Sequence, residues 1–144
     1  MKDVVELLVM FEEEKAEKNV TAYVPSLRLG VHGDTLEEAR TNAIELIELE
    51  LEGRQERLPK DTAVIETIKG TAGVDLLVMF EVLEEENDVT AYIPALRLGV
   101  KGTTLSQARS NAEDLIRLES KNRVHPFSQE TVTIDTLKIN VKVS

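Results

Sequence analysis

A chain of 144 residues with 17 Lys and Arg against 27 Asp and Glu carries a formal net charge of −10, which disfavours nucleic acid, whose phosphates need clustered cations, and suits a basic protein partner. It holds no cysteine, no tryptophan and only 3% aromatic residues, so disulfide frameworks, thiolate nucleophiles, thiolate metal sites and base-stacking platforms are excluded. The opening MKDVVELLVMF runs into acidic sequence without a small-residue cleavage site, and its apolar run is too short to span a membrane; a cytoplasmic location is expected.

Val4 to Glu12 is apolar on both alternating sets, Val5, Leu7, Val9 and Phe11 on one and Val4, Leu8 and Met10 on the other. A strand of that kind is covered on both faces. The polar run Glu13 to Asn19 reads as a hairpin connection, and Val20 to Pro25 as a second strand that ends at a residue unable to donate to a ladder. Leu27, Leu29 and Val31 alternate as a third strand, and Gly30 and Gly33 suggest a bulge or positive φ before the next element. Thr35-Leu36-Glu37-Glu38 has the form of a capping box and opens a helix to about Glu52. Its buried stripe is expected along Leu36, Ala39, Ala43, Leu46 and Glu50 or Ile47, with Gly53, and Asn122 at the same place in the second copy, at the left-handed C-terminal cap. After a loop through Pro59, Thr62 to Lys69 is a fourth strand.

The chain then says the same thing again. Val89 to Ala112 (VTAYIPALRLGVKGTTLSQARSNA) restates Val20 to Ala43 (VTAYVPSLRLGVHGDTLEEARTNA), and 89 minus 20 gives an offset of 69 that carries Leu7 onto Leu76 and Thr62 onto Thr131 without a gap. The expected organisation is a tandem repeat of a strand-strand-strand-helix-strand unit in an α+β fold: repeat 1 over 1–69, a linker over 70–73, and repeat 2 over 74–144 with a prolonged last strand. Each unit is an antiparallel-rich sheet with one helix on one face, the halves related by pseudo-two-fold symmetry. A unit of about 70 residues is marginal alone, and one helix covers one sheet face. The uncovered faces are therefore expected to meet, as an intramolecular pseudo-dimer that could oligomerise further. Ile134 lies in the opposite phase from Leu137, which predicts a bulge near Asp135-Thr136.

The copies differ in two places. Ile44 and Leu51 flank Ile47 in the first helix, where the second has Glu113 and Ser120, and these three are expected to pack between halves or between chains. Val82 and Leu83 stand where the first copy has Glu13 and Glu14, and could dock a different protein.

No constellation demands a chemistry. His32 becomes Lys101 in the second copy and His125 sits beside Pro126, so neither joins the ligand set or nucleophile that a metal site or triad wants. The carboxylates fall on hairpins and helix exteriors, and the glycines of LRLGVHGDT match no phosphate-binding loop. The expectation is a non-enzyme without catalytic residue, cofactor or metal. Tyr23, Arg28, Tyr92 and Arg97, repeated at the same places, join Val82 and Leu83 as candidate partner-binding residues.

Tyr23-Val24-Pro25-Ser26-Leu27, then Gly33-Asp34-Thr35-Leu36-Glu37-Glu38-Ala39 and Asn42-Ala43, resembles the HicB antitoxin family. The second copy matches through Tyr92-Ile93-Pro94-Ala95-Leu96, Gly102, Thr104, Leu105, Ala108 and Asn111-Ala112, with Thr103 for Asp and Gln107 for Glu, so the resemblance spans nearly the whole chain. It implies a truncated ribonuclease-H-like fold lacking catalytic acids, in a protein that binds a small basic ribonuclease toxin, HicA, and covers its RNA-facing surface. Arg28-Leu29-Gly30 replaces the usual Pro-Gly-Cys turn, and a second copy stands where such antitoxins commonly carry a DNA-binding helix motif, so operator binding is not expected. The alternative is a stand-alone accessory or structural module of the same fold with no toxin partner.

Overall fold

The computed structural model describes residues 2–14, 17–52, 62–69, 75–83, 86–122 and 131–142. In chain order these form β1 (Lys2–Glu14), β2 (Asn19–Val24), β3 (Leu29–Gly33), α1 (Leu36–Glu52), β4 (Thr62–Lys69), β5 (Asp75–Leu83), β6 (Asp88–Ile93), β7 (Leu98–Gly102), α2 (Leu105–Asn122) and β8 (Thr131–Lys142). The fold is α+β, with two antiparallel four-stranded sheets ordered β3-β2-β1-β8 and β4-β5-β6-β7.

Those sheet orders separate the unit in space from the repeat in sequence. The fourth strand of each repeat lies in the sheet begun by the other: β8 runs along β1 from Lys2↔Lys142 to Glu13↔Thr131, and β4 along β5 from Thr62↔Val82 to Lys69↔Asp75. The compact units are therefore residues 1–60 with 130–144, and residues 61–129, rather than 1–69 and 74–144. Loop closure explains the choice. The linker expected over 70–73 lies outside the described residues; residues 70–74 are all that separates β4 from β5, and a loop that short closes at far less entropic cost than the return from β4 to β1. Once β4 pairs forward, β1 has an open edge, and β8 fills it.

In the first unit α1 buries Ala39, Ala43, Ile47 and Leu51, spaced so that one line of the helix meets the sheet. Beneath them lie Leu7, Val9 and Phe11 of β1, Val20, Ala22 and Val24 of β2, and Leu137 and Ile139 of β8. The second unit places Ala108, Ala112 and Ile116 of α2 over Leu76, Val78 and Phe80 of β5, Val89, Ala91 and Ile93 of β6, and Ile68 of β4. Alternation puts Met10 and Met79 on the sheet faces away from the helices, where each is only 1% exposed.

Three local expectations need correction. No bulge interrupts β8, since its register against β1 is regular through Ile134↔Met10 and Leu137↔Leu7. The phase change instead sends Leu137 to the helix side and Ile134, half-buried, to the other. The third strand begins at Leu29, because Pro25 starts consecutive turns closed by Leu27 N–H to Val24 O (3.2 Å) and Arg28 N–H to Pro25 O (3.1 Å), which turn Leu27 into the core. Between the second and third strands of each copy the positive φ values fall on Arg28 (55°) and Arg97 (54°), at the ends of these turns, while Gly30 and Gly33 pair regularly in the β2–β3 ladder. The proposed cap Gly53 lies outside the described residues, and Asn122 is itself the last residue of α2.

Gly33 and Gly102 are required by close approach. A Cβ on Gly33 would lie 2.5 Å from Ala39 N, and one on Gly102 would lie 2.6 Å from Ala108 N, inside any real contact distance and against backbone that cannot swing away. Gly33→Ala or Gly102→Ala is expected to destabilise by about 1–3 kcal/mol, read as a lower urea midpoint at unchanged slope.

Candidate functional site

Each helix is fixed to its sheet at its first turn. Thr35 Oγ1 accepts from Glu38 N–H (3.1 Å) and Glu38 Oε1 reaches back to Asp34 N–H (3.3 Å); Thr104 and Gln107 repeat this at 3.0 Å and, to Thr103 N–H, 2.6 Å. These bonds satisfy amides that a helix start leaves without an intrahelical acceptor. One turn on, Asn42 Nδ2 donates to His32 O and Asn111 Nδ2 to Lys101 O, both at 2.8 Å, tying helix to strand. The repeated residues from Gly33 to Asn42 and from Gly102 to Asn111 thus include the ones that seat the helix.

Beside the seat lies an arginine-carboxylate pair supplied from both repeats. Arg40 Nη2 donates to Asp135 Oδ2 of β8 at 2.8 Å, and its guanidinium carbon stands 5.7 Å from the Phe11 ring centre. In the second unit Arg109 meets Glu66 of β4 through two bonds, Nε to Oε1 at 3.1 Å and Nη2 to Oε2 at 2.5 Å, and stands 5.9 Å from the Phe80 ring. The pairs differ by one methylene. Glu66 reaches both donors of the fork, whereas the shorter Asp135 reaches one and leaves Arg40 Nε buried without a partner. The hydrogen bond to Glu66 raises the Arg109 pKa above its ordinary value, opposed by desolvation and helped by the charges of Glu66 and Glu113. A raised guanidinium contributes fully below the ordinary arginine value and loses that contribution only as pH climbs through the higher folded one, so Arg109 adds no pH dependence near neutrality.

The same pair edges a cleft of about 320 Å³ between β4 and α2, lined by Glu66, Ile68, Lys69, Arg109, Glu113 and Arg117 among others. The two helices part here. Ile44, at the place of Glu113, packs half-buried against the first core, and Leu51 is buried where Ser120 instead bonds its own helix at Ile116 O (2.7 Å).

Ile44, Ile47 and Leu51 thus contribute to the core of the first unit. Tyr23 and Tyr92 are half-buried on β2 and β6, opposite Met10 and Met79, and Arg28 and Arg97 are exposed in the turns that follow. Each tyrosine and arginine therefore share one hairpin. Val82 and Leu83 do not join Tyr92: they pair with Val89 and Asp88 at the other end of β6, and Val82 packs on the core. His32 is exposed and its Nδ1 lies 3.2 Å from Thr21 Oγ1.

What composition did not reveal is where the charge sits. α1 carries six Glu and one Arg, a net −5, while α2 carries three acids and three cations and is neutral; a residue count along each helix would have found this. Among the described residues no group of three or more His, Asp or Glu could hold a metal ion, and no helix is long and apolar enough to cross a membrane. No family model, curated protein or solved structure matches the chain.

Asp135→Glu is expected to complete the fork on Arg40 and stabilise the protein by under about 1 kcal/mol, the scale of a partly exposed pair. Thermal unfolding of the variant beside Asp135→Ala, which should lower the midpoint, checks both signs.

Proposed function

We propose that the chain is a HicB-like, non-enzymatic binding protein of the cytoplasm that engages a small basic ribonuclease toxin of the HicA type and blocks its RNA-facing surface. The observation that carries this reading is the net −5 on α1, half of the −10 of the whole chain gathered on one helix. An acidic face steers a cationic partner into fast, salt-sensitive encounter and repels nucleic acid.

A second reading, a stand-alone structural module with no toxin partner, is favoured by one feature. The exchange of fourth strands joins both repeats into each unit, so duplication serves folding by itself, as strand swapping between copies would.

Co-expression with a small basic protein encoded beside its gene separates the two. The antitoxin reading predicts rescue of growth and a complex that survives a sizing column at low salt. Persistent toxicity and separate elution would leave the structural module.

A further inference from the structure

We propose that the outward face of α1 is the docking surface for a cationic amphipathic helix of the partner protein, seated on Leu49 among glutamates. This rests on the protein-binding reading above and adds where the partner lands and which chemistry it presents.

At 3.6 residues per turn, Glu38, Glu45 and Glu52 fall on one line along α1, opposite the buried Ala39, Ala43, Ile47 and Leu51. All three are exposed, as are Thr41 and Glu48 beside them. Leu49 lies against that line and is 69% exposed, the most exposed large apolar side chain among the described residues. One exposed leucine is ordinary. Its surroundings give it meaning, and α2 supplies the comparison within the same molecule.

Leu118 occupies the matching place on α2 and is 57% exposed. Around it stand Asp114, Arg117 and Lys121, where α1 has Glu45, Glu48 and Glu52, and Arg117 Nη1 is held by Asp114 Oδ1 at 3.4 Å. The same helix geometry thus presents an apolar point in a self-neutralised setting on one helix and in a wholly acidic one on the other.

The distribution also chooses the occupant. Glu38 and Glu52 lie fourteen residues apart, about 21 Å along the helix axis, and no described group of acids converges on a metal-sized point. A single small cation therefore satisfies only part of the face. A row of cations with an apolar residue among them satisfies all of it, and a helix with Lys or Arg at one-turn or two-turn intervals around a Leu or Ile has that pattern. Anionic lipid and nucleic acid are repelled by the same charges.

The test titrates a synthetic lysine-leucine amphipathic helix, and a control with glutamate for lysine, into the isotope-labelled full chain at low and high salt. The lysine peptide is expected to shift amides of α1 and to lose affinity as salt rises. Charge reversal by Glu45→Lys, Glu48→Lys and Glu52→Lys should weaken it at least about tenfold and Leu49→Ser several-fold, with Leu118→Ser without effect. These positions are exposed, and circular dichroism checks that each variant is folded. Shifts centred on Arg28 and Arg97 or on Val82 and Leu83, with no loss on charge reversal, would overturn the docking face while leaving the binding reading intact. Absence of any binding at low salt would overturn both. A dimer of the chain alone that Leu49→Ser dissolves would give the face to a second copy and overturn the proposal.

Discussion

Twelve residue pairs hold Lys2 to Glu13 of β1 against Thr131 to Lys142 of β8, joining the first strand of the chain to the last. From that ladder Leu137 and Ile139 enter the first core and Asp135 comes within reach of Arg40. Take it away and β1 becomes an open edge, with row upon row of unpaired backbone donors and acceptors. The ladder is also costly to reach, since its partners lie more than a hundred residues apart in sequence, and closing so long a loop precedes any contact that rewards it. The β4–β5 pairing has the opposite character, local and quickly closed. The architecture follows from these unequal closures: the near pairing takes β4 away from β1, and the far one repairs the edge it leaves.

Within that frame the repeated motifs explain folding more than function. Gly33 and Gly102 let the helix start approach the sheet, Thr35 and Thr104 cap it, and Asn42 and Asn111 tie it down. A resemblance carried by such residues speaks to a scaffold, and one scaffold serves many purposes. The copies diverge on the outside instead. Glu48 answers to Arg117 and Glu52 to Lys121, so two helices seated in the same way face solvent with different charge. The cleft beside Arg109 is a further divergence, with Glu113 where the first unit packs Ile44.

Much of this was legible in the residues. The capping boxes, the alanines of the helix stripe and the alternation in the first strand each have a local physical cause and lie where the pattern put them, whereas Leu46, expected in that stripe, is only half-buried and Leu51 takes the buried place a turn further on. The strand exchange was not legible, because an exact offset between repeats makes a strand's own sheet and its neighbour's sheet equivalent partners: Glu66 could meet Arg40 as well as Arg109 by type and spacing. Only the shortness of the segment between β4 and β5 distinguishes them, and a short segment fits a linker between repeats equally well. The glycines misled in another way, since φ freedom and lack of a Cβ both select glycine, and it was the second that mattered at Gly33. The arginines at positive φ went unforeseen because a turn of this kind ordinarily favours Gly or Asn there. Of the candidate partner residues, Tyr23 and Arg28 share a hairpin, whereas Val82 and Leu83 lie apart from Tyr92 along β6.

Cross-linking between chosen strands tests the exchange most directly, and the absence of native cysteine makes the background silent. Glu6 pairs with Lys138 across β1 and β8, both exposed, at a separation that opposed antiparallel residues offer to a disulfide. If the first strand took its own repeat's β4 instead, the register of the second unit, Lys69↔Asp75, would place Lys69 against Glu6. Mild oxidation of monomeric Glu6→Cys/Lys138→Cys should therefore give a fast intramolecular disulfide, and Glu6→Cys/Lys69→Cys should give none; the reverse yields would contradict the exchange and the units built on it.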